Sequence, residues 1–192
     1  MKAPLTIATL LLLAAVNASA NESLKLYDRN NVPDPEDVAK MLQTQQNTLK
    51  RNNFAKTRGI SLDPQGTTGV ENELAKRNKD AGTFAVQINF PLNSAQVNED
   101  FIPHIAAIAK GIQISGADIK ISIEGHTDAS GTEAYNEQLS LRRAQAVRAL
   151  LIEKFAVRAD QIAALGYGPR QLADASDPFS GKNRRVQFRV VE

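Results

Sequence analysis

GHTDASGTEAYNEQLSLRRAQAVRALLIEKF, residues 125–155, is the stretch of this chain that decides its fold. From Ala134 onward it has the period of an amphipathic helix, with its apolar residues inside one stripe about 160° wide. The members of that stripe are Leu139, Ala144, Ala146, Val147, Leu150 and Leu151. Arg143 lies near the middle of the same stripe, whereas Arg142 and Arg148 lie outside it. Because a guanidinium buried without a partner costs several kcal/mol, Arg143 requires either a counter-charge or a ligand.

Strands and a second helix surround this helix in the sequence. The strands alternate apolar and polar residues, as half-buried strands do, and the second helix has apolar residues at helical spacing. In chain order the segments are the strand TFAVQINF (83–90), the helix VNEDFIPHIAAIAKGI (97–112), and the strands DIKISIEG (118–125), IAALGYG (162–168) and RRVQFRVV (184–191). The resulting order, β-α-β-α-β-β, predicts an α/β two-layer sandwich with both helices packed on one face of a mixed sheet.

The N-terminus has the pattern of an export signal. Residues 1–20 combine a charged start, an apolar run and a small-x-small ending, which together predict a cleaved signal peptide. The apolar run is shorter than the roughly 20 residues that span a bilayer, so a retained membrane anchor is the weaker alternative. We therefore expect the mature chain to begin near Asn21. The chain of 192 residues contains no Cys, so neither a lipid anchor on Cys nor a disulfide is expected.

Residues 21–82 are expected to form an N-terminal extension to the domain of residues 83–192. A helix is predicted over residues 32–43, with Asp34 as its cap, and a second short helix over residues 70–79. Polar runs and several Gly and Pro residues fill the rest. This composition indicates an extension of short helices and loops that is docked weakly or acts as a spacer.

Composition and motifs argue against nucleic-acid binding and catalysis. The formal net charge of +2 gives no strong attraction to nucleic acid. Glu124, His126 and Asp128 alternate near a strand end, as metal ligands can, but the regular strand is expected to stop at Gly125. His126 is therefore expected to be a structural loop residue that hydrogen-bonds neighbouring backbone. No common hydrolase motif is present, and His104 is expected on the helix surface. The basic cluster of Arg142, Arg143 and Arg148, with Arg184 and Arg185, is expected to be mostly a solvated face. We expect neither an enzyme nor a bound metal or cofactor.

Asp128 is the nearest candidate partner for Arg143 in the sequence. The loop after the strand 118–125 carries Asp128, and the following helix returns Arg143 and Asn136 to the same end of the sheet. One interpretation is a structural Asp128–Arg143 salt bridge. The other is a site for a zwitterion, in which Asp128 holds an ammonium and Arg143 binds a carboxylate with its planar fork.

A family resemblance favours the second interpretation. The pattern N-x-x-L-S-x-x-R-A occurs here as Asn136, Leu139, Ser140, Arg143 and Ala144. Together with INFPLNSAQV (88–97), LGYG (165–168) and NRRV (183–186), the stretch 123–147 resembles the OmpA-like C-terminal domain over about residues 83–192. This resemblance implies an OmpA-like fold and non-covalent binding of peptidoglycan through the meso-diaminopimelate of its stem peptide.

The same resemblance implies roles for individual residues. Asp128 of the Thr127-Asp128 pair and Arg143 would hold the amino and carboxylate groups at the free end of diaminopimelate. Phe90 would line the pocket, and Leu139 and the region of Gly131 would contribute main-chain contacts. Pro91 follows Phe90 where many members of the family carry an acidic residue, so the affinity is expected to differ.

The resemblance also implies a place in the cell envelope. We expect a periplasmic protein that binds diaminopimelate-type peptidoglycan and contributes to envelope integrity. Residues 21–82 are the segment through which outer-membrane or periplasmic proteins would be contacted. The alternative is an envelope adaptor that works mainly through residues 21–82, with Asp128–Arg143 as a structural salt bridge.

Overall fold

A computed structural model describes residues 24–57, 83–88, 90–91 and 94–191 of the chain. Five strands and three helices are found there, and 3₁₀ turns at Glu99–Phe101 and Gly181–Asn183 join some of them. In chain order they are β1 (Lys25–Tyr27), α1 (Pro35–Thr57), β2 (Phe84–Val86), α2 (Ile102–Ser115), β3 (Lys120–His126), α3 (Glu133–Glu153), β4 (Ile162–Gly168) and β5 (Val186–Val191). From β2 onward the order is β-α-β-α-β-β, so the predicted fold class is confirmed.

All five strands form one mixed sheet in the order β1-β2-β5-β3-β4. β5 lies in the middle, antiparallel to β2 on one side and to β3 on the other. β1 is parallel to β2 at one edge, and β4 is parallel to β3 at the other. The parallel β3 and β4 are joined through α3, whose side chains cover the strands that it connects.

One face of this sheet and all three helices share a single hydrophobic core. The register places Phe84, Phe188 and Ile123 side by side across three strands, and the rings of Phe84 and Phe188 stack with their centroids 5.1 Å apart. The helices add Ile105, Ile108 and Ile112 from α2, Ala144, Val147 and Leu151 from α3, and Val38 and Leu42 from α1. These residues are almost completely buried, as the alternating and helical patterns predict.

The N-terminal extension is more closely packed than the sequence suggests. Asp34 caps α1 as predicted, accepting hydrogen bonds from the backbone N–H groups of Glu36 (2.8 Å) and Asp37 (3.2 Å). The helix continues to Thr57 instead of ending near residue 43. Val38 and Leu42 are fully buried, and β1 adds a strand to the sheet edge. The expectation of a weakly docked extension or spacer is therefore wrong for β1 and α1.

The sequence does not reveal the full length of packing along α1, because α1 also contributes a buried polar side chain. The buried amide oxygen of Gln45 accepts a hydrogen bond from the backbone N–H of Val190 at 2.8 Å, beyond the point where β2 stops pairing with β5. Because Gln45 is polar, its burial gives no apolar signal in the sequence, although its side chain is hydrogen-bonded in the core. The predicted helix at residues 70–79 and the predicted signal peptide at residues 1–20 lie outside the described residues.

Two expectations about exposed side chains are also wrong. His104 is fully buried, and its Nε2 lies 2.8 Å from the backbone oxygen of Asp28 in the loop after β1. Arg185 is buried and its guanidinium contacts the side chain of Gln187 on the face of the sheet away from the core. The partner of His104 could not be anticipated, because Asp28 lies 76 positions away in the sequence. Gln187 is only two residues from Arg185, but the sequence alone does not show that this pair is buried.

In the part of the chain that the structure describes, none of the helices combines the length and the apolar character needed to cross a bilayer.

Candidate functional site

The candidate site lies at the end of β3, where the chain enters the loop before α3. Close backbone packing fixes this loop: the N–H of Thr127 donates to the carbonyl oxygen of Gly168 at the end of β4 (3.0 Å). The hydroxyl of Ser140 in α3 accepts a hydrogen bond from the N–H of Gly168 at 2.9 Å. Gly125 leaves room for the carbonyl of Ser140, which a side chain at position 125 would meet. α3 is therefore held directly against the ends of both strands.

Arg143 projects from α3 into this site and is only 8% exposed. Its Nε donates to the backbone oxygen of Ser94 at 3.2 Å, and its Cζ lies 4.7 Å from the ring centroid of Phe90. Among the residues that the structure describes, no carboxylate lies within the 4.0 Å of an ion pair with Arg143. The predicted burial of this guanidinium is thus present, without a carboxylate that neutralises it directly.

The surroundings of Arg143 affect its charge in opposite directions. Burial lowers the pKa of Arg143, and the charge of Arg184 lowers it further. Tyr135 and Asp128 raise the pKa of Arg143, which means that Asp128 is close enough to act on it through space. An Arg remains protonated at neutral pH under such shifts, so the site holds a buried, incompletely compensated positive charge.

Asp128 is paired with a different arginine. Its Oδ2 accepts from Nη1 of Arg184 at 2.7 Å, and its Oδ1 accepts from the backbone N–H of Ser130 at 3.1 Å. Burial alone would raise the pKa of Asp128, but these hydrogen bonds outweigh burial and hold that pKa below its ordinary value. The interpretation of Asp128–Arg143 as a direct structural salt bridge is therefore wrong in the described structure: the two charges are neighbours that use different partners.

Arg184 is the residue of this site that the sequence reasoning missed. The sequence predicts Arg184 on a mostly solvated face, and its side chain is 47% exposed, but it also reaches Asp128 from the turn before β5. Asn183, fully buried beside it, donates its amide to the carbonyls of Asp174 (3.2 Å), Asp177 (3.0 Å) and Pro178 (3.2 Å), which fixes the β4–β5 loop. The available signal was the NRRV motif, but nothing in it shows which arginine meets Asp128.

The two loops of the site are also joined to each other. The N–H of Ala129, next to Asp128, donates to the carbonyl of Pro178 in the β4–β5 loop at 3.0 Å. Arg170, early in the same loop, binds Glu133 and Glu137 of α3, each with one contact of 2.7 Å. The position of Arg184 relative to Asp128 thus follows from contacts on several elements.

The other predicted site residues lie around this pair of charges. Asn136 is buried and its Nδ2 donates to the carbonyl of Ser130 at 2.7 Å, so its amide braces the loop that carries Asp128. Leu139 is buried one turn of α3 before Arg143, and Thr127 is buried with no hydrogen-bond partner for its hydroxyl among the described residues. Gly131 is exposed with a φ of 87°, a left-handed conformation that glycine adopts without strain.

The trio of Glu124, His126 and Asp128 does not converge on a common point. Glu124 is paired with Arg189 (3.2 Å), and Asp128 is paired with Arg184. Burial, together with the charges of Arg185 and Arg189, lowers the pKa of His126 to about 2. Within the described ranges, no group of three His, Cys, Asp or Glu residues is arranged to hold a metal ion.

Chemically, the site presents a buried guanidinium and a nearby ionised carboxylate. Such a pair complements a ligand with a carboxylate and an ammonium a few bonds apart. The guanidinium of Arg143 lies over the ring of Phe90 as a cation–π contact, and its Nη groups have no acceptor among the described residues, so they can bind a planar anion.

Comparisons with known proteins identify a family and relatives of this chain. Residues 89–185 match the model of the OmpA family. The chain is 31% identical over 164 residues to the outer membrane porin F of Pseudomonas aeruginosa, covering 82% of this chain and 44% of that protein. It is 32% identical over 139 residues to the peptidoglycan-associated lipoprotein of Pseudomonas putida, covering 68% of this chain and 80% of that protein.

A solved structure, the peptidoglycan-associated lipoprotein from Burkholderia pseudomallei, has 27% identity and a TM-score of 0.47, over 54% of this chain and 88% of that one. The chain spans less than half the length of the P. aeruginosa porin.

Proposed function

The chain belongs to the OmpA family, and on that premise we propose that it binds peptidoglycan non-covalently, through the meso-diaminopimelate of the stem peptide. The free end of diaminopimelate carries an ammonium and a carboxylate on one carbon. In the proposal Arg143 binds the carboxylate and Asp128 binds the ammonium. Phe90, Leu139, Asn136, Thr127 and Gly131 form the surrounding wall and loop.

The observation that carries this proposal is the state of Arg143. Its guanidinium is almost completely buried, uses one N–H on the backbone of Ser94, and has no ion-pair partner in the part of the chain that the structure describes. Leaving such a charge uncompensated costs several kcal/mol, which an anionic ligand would offset. A relative whose name contains "peptidoglycan-associated", the lipoprotein of Pseudomonas putida, supports peptidoglycan as the source of that anion.

The proposal is one of binding without catalysis. A general base needs a pKa near the working pH, and the pKa of about 2 at His126 makes its imidazole a very weak base. The carboxylates of Glu124 and Asp128 are each engaged by an arginine. Export to the periplasm follows from the predicted signal peptide at residues 1–20 and belongs to the same proposal, as does a contribution to envelope integrity.

Co-sedimentation with purified diaminopimelate-type sacculi tests the function. We expect the wild type to sediment, and Asp128→Ala and Arg143→Ala to remain in solution, because removing one partner of a buried charge pair typically costs about 2–5 kcal/mol of binding. Arg142→Ala is the matched control: it removes the same charge from the exposed neighbouring position and should sediment like the wild type. Circular dichroism verifies that each variant is folded.

Equal sedimentation of all four proteins would contradict the assignment of Asp128 and Arg143. Arg143→Lys adds a second criterion, because it keeps the charge but loses the planar two-point contact with a carboxylate. Weaker sedimentation of Arg143→Lys than of the wild type is expected.

The adaptor alternative has less structural support. It combines protein–protein contact through residues 21–82 with a structural Asp128–Arg143 salt bridge. β1 and α1, which occupy part of that segment, pack into the core, and Asp128 is paired with Arg184. Contacts with outer-membrane or periplasmic proteins through residues 21–82 remain a subordinate part of the proposal.

A further inference from the structure

Two guanidiniums and one carboxylate meet at the candidate site. Nη1 of Arg184 lies 2.7 Å from Oδ2 of Asp128. The charge of Asp128 raises the pKa of Arg143 and the charge of Arg184 lowers it. Asp128 can neutralise only one of the two cations. The three groups together therefore leave one positive charge in excess, and a zwitterionic ligand with one ammonium and one carboxylate would leave that excess unchanged.

The acidic residues nearest to this site along the chain, other than Asp128, form no ion pair with Arg143 or Arg184 among the described residues. Glu133 and Glu137, in the first turns of α3, are both bonded to Arg170. Asp174, in the β4–β5 loop, lies 3.8 Å from Lys182. Within residues 94–191, the carboxylate bonded to Arg184 is that of Asp128. No second carboxylate of the described residues therefore occupies Arg143 or the remaining side-chain N–H groups of Arg184, so a ligand carboxylate can bind there.

Arg184 is placed to meet such a ligand. Its side chain is 47% exposed, whereas that of Asp128 is 12% exposed, so Arg184 lies at the rim of the site and Asp128 lies deeper. One of its N–H groups binds Asp128, and its other side-chain N–H groups have no acceptor in the part of the chain that the structure describes. Its backbone is fixed by the N–H of Arg184 donating to the carbonyl of Gly181 (3.1 Å) and by the buried Asn183.

We propose that Arg184 binds a second carboxylate of the ligand, so that the site selects a ligand with one ammonium and two carboxylates. This inference rests on the proposed function, because Arg143 and Asp128 must first hold the free end of diaminopimelate. Arg184 then determines specificity, because its guanidinium increases the affinity for a ligand that carries a net negative charge. The guanidinium fork suits this role, since it can bind Asp128 on one side and a ligand carboxylate on the other.

Two carboxylates of a stem peptide have the required chemistry. One belongs to the glutamyl residue that precedes diaminopimelate, and the other is the main-chain carboxylate of diaminopimelate when the stem ends there. Each of these two carboxylates is a planar anion near the zwitterionic end of diaminopimelate, and this is the chemistry that Arg184 would bind. Amidation at the relevant carboxylate removes the charge with little change in size.

The test uses three synthetic tripeptides, alanyl-γ-glutamyl-meso-diaminopimelate and its two monoamides, one at each of these carboxylates. Calorimetric titration of the full chain measures their affinities. We expect one monoamide to bind the wild type about threefold to tenfold more weakly than the free tripeptide, as suits a half-exposed ion pair. Arg184→Gln should bind the free tripeptide as weakly as that monoamide and should no longer distinguish the two.

Lys182→Gln is the matched control, because it removes a positive charge from an exposed position on the same turn. It should retain the discrimination of the wild type. The monoamide that binds the wild type more weakly than the free tripeptide identifies the carboxylate that Arg184 binds.

The possible failures are separable. If the wild type does not bind the free tripeptide, the proposed function itself fails. If the wild type binds all three tripeptides equally, the second carboxylate is not recognised and the inference is overturned while the function stands. A uniform loss on all three peptides in Arg184→Gln would make Arg184 only a positioning residue for Asp128. Tighter binding by Arg184→Gln would mean that Arg184 competes with the ammonium, which also overturns the inference.

Discussion

His126 is the most unusual single residue outside the candidate pocket. It ends β3 and is 1% exposed, with its ring stacked on Tyr167 at a centroid distance of 5.4 Å and an interplanar angle of 8°. Neither ring nitrogen has a hydrogen-bond partner among the described residues. His126 was expected in the loop with a hydrogen bond to neighbouring backbone, and this expectation is wrong. Burial and two neighbouring arginines keep the imidazole neutral.

This environment predicts an effect of pH on stability. The pKa of His126 is about 2 in the folded protein and about 6.5 when unfolded, so the unfolded state takes up a proton as the pH falls below about 6.5. His126→Leu removes that uptake and also removes two unpaired polar atoms. We expect the free energy of unfolding of the variant at pH 7 to match or exceed that of the wild type. The difference in free energy of unfolding between the variant and the wild type should grow by about 1.4 kcal/mol for each pH unit below about 6.5.

Urea unfolding at pH 7 and pH 5 measures this difference. His104→Leu provides the contrast, because His104 is equally buried but has a backbone partner in Asp28, so its loss should lower stability at pH 7. A constant difference between His126→Leu and the wild type at both pH values would refute the account of His126.

At the scale of elements, the approach of α3 to β3 and β4 determines where Arg143 is held. Two strand glycines face the helix backbone: Gly125 lies against the carbonyl of Ser140, and Gly166 lies against Glu137 and Leu141. A Cβ on Gly166 would be 2.6 Å from both the carbonyl oxygen of Glu137 and the N–H nitrogen of Leu141. The absence of side chains here allows α3 to pack directly on the strands.

Gly166→Ala should therefore move α3 or strain its backbone. Overpacking of this kind typically costs about 1–3 kcal/mol, and backbone atoms cannot swing aside as a side chain can. The free energy of unfolding in urea is the measurement. Leu165→Ala, at the 42% exposed neighbour on the other face of β4, is the control and should cost clearly less. Equal losses in both variants would show that the close approach is unimportant.

At the scale of the whole molecule, the domain includes more of the chain than the family match covers. The match begins at residue 89, whereas β1 pairs with β2 and α1 packs on α2 and β5. A Cβ on Gly111 of α2 would meet Val38 of α1 at 2.5 Å, so the two helices are in close contact. The boundary expected at residues 82 and 83 thus does not coincide with a boundary in the packing.

Truncation to residues 83–192 should destabilise the protein strongly. It removes Tyr27, Val38 and Leu42 from the core, and replacing even one such core side chain by Ala commonly costs about 2–5 kcal/mol. The sum approaches the total stability of about 5–15 kcal/mol that is typical of a domain. Thermal unfolding followed by circular dichroism should show a lower midpoint or no cooperative transition. A chain of residues 24–192 is the control, and a truncated form as stable as this control would contradict the prediction.

The sequence by itself determined the order of elements from β2 onward, because alternation and helical spacing are local consequences of one buried face. It also determined that Arg143 is special, since a permanent charge inside an apolar stripe is visible without any partner. The cap at Asp34 followed for the same reason: its hydrogen bonds reach only two and three residues along the chain.

Only the tertiary structure decided which residues those local features meet. Arg184 reaches Asp128 across 56 positions of sequence, and Gln45 reaches Val190 across 145. Such pairings depend on sheet order and register, which nearby residues do not encode. The arrangement of charges at the site, with Arg143 buried without an ion-pair partner among the described residues and Arg184 at the rim, is therefore a property of the folded chain.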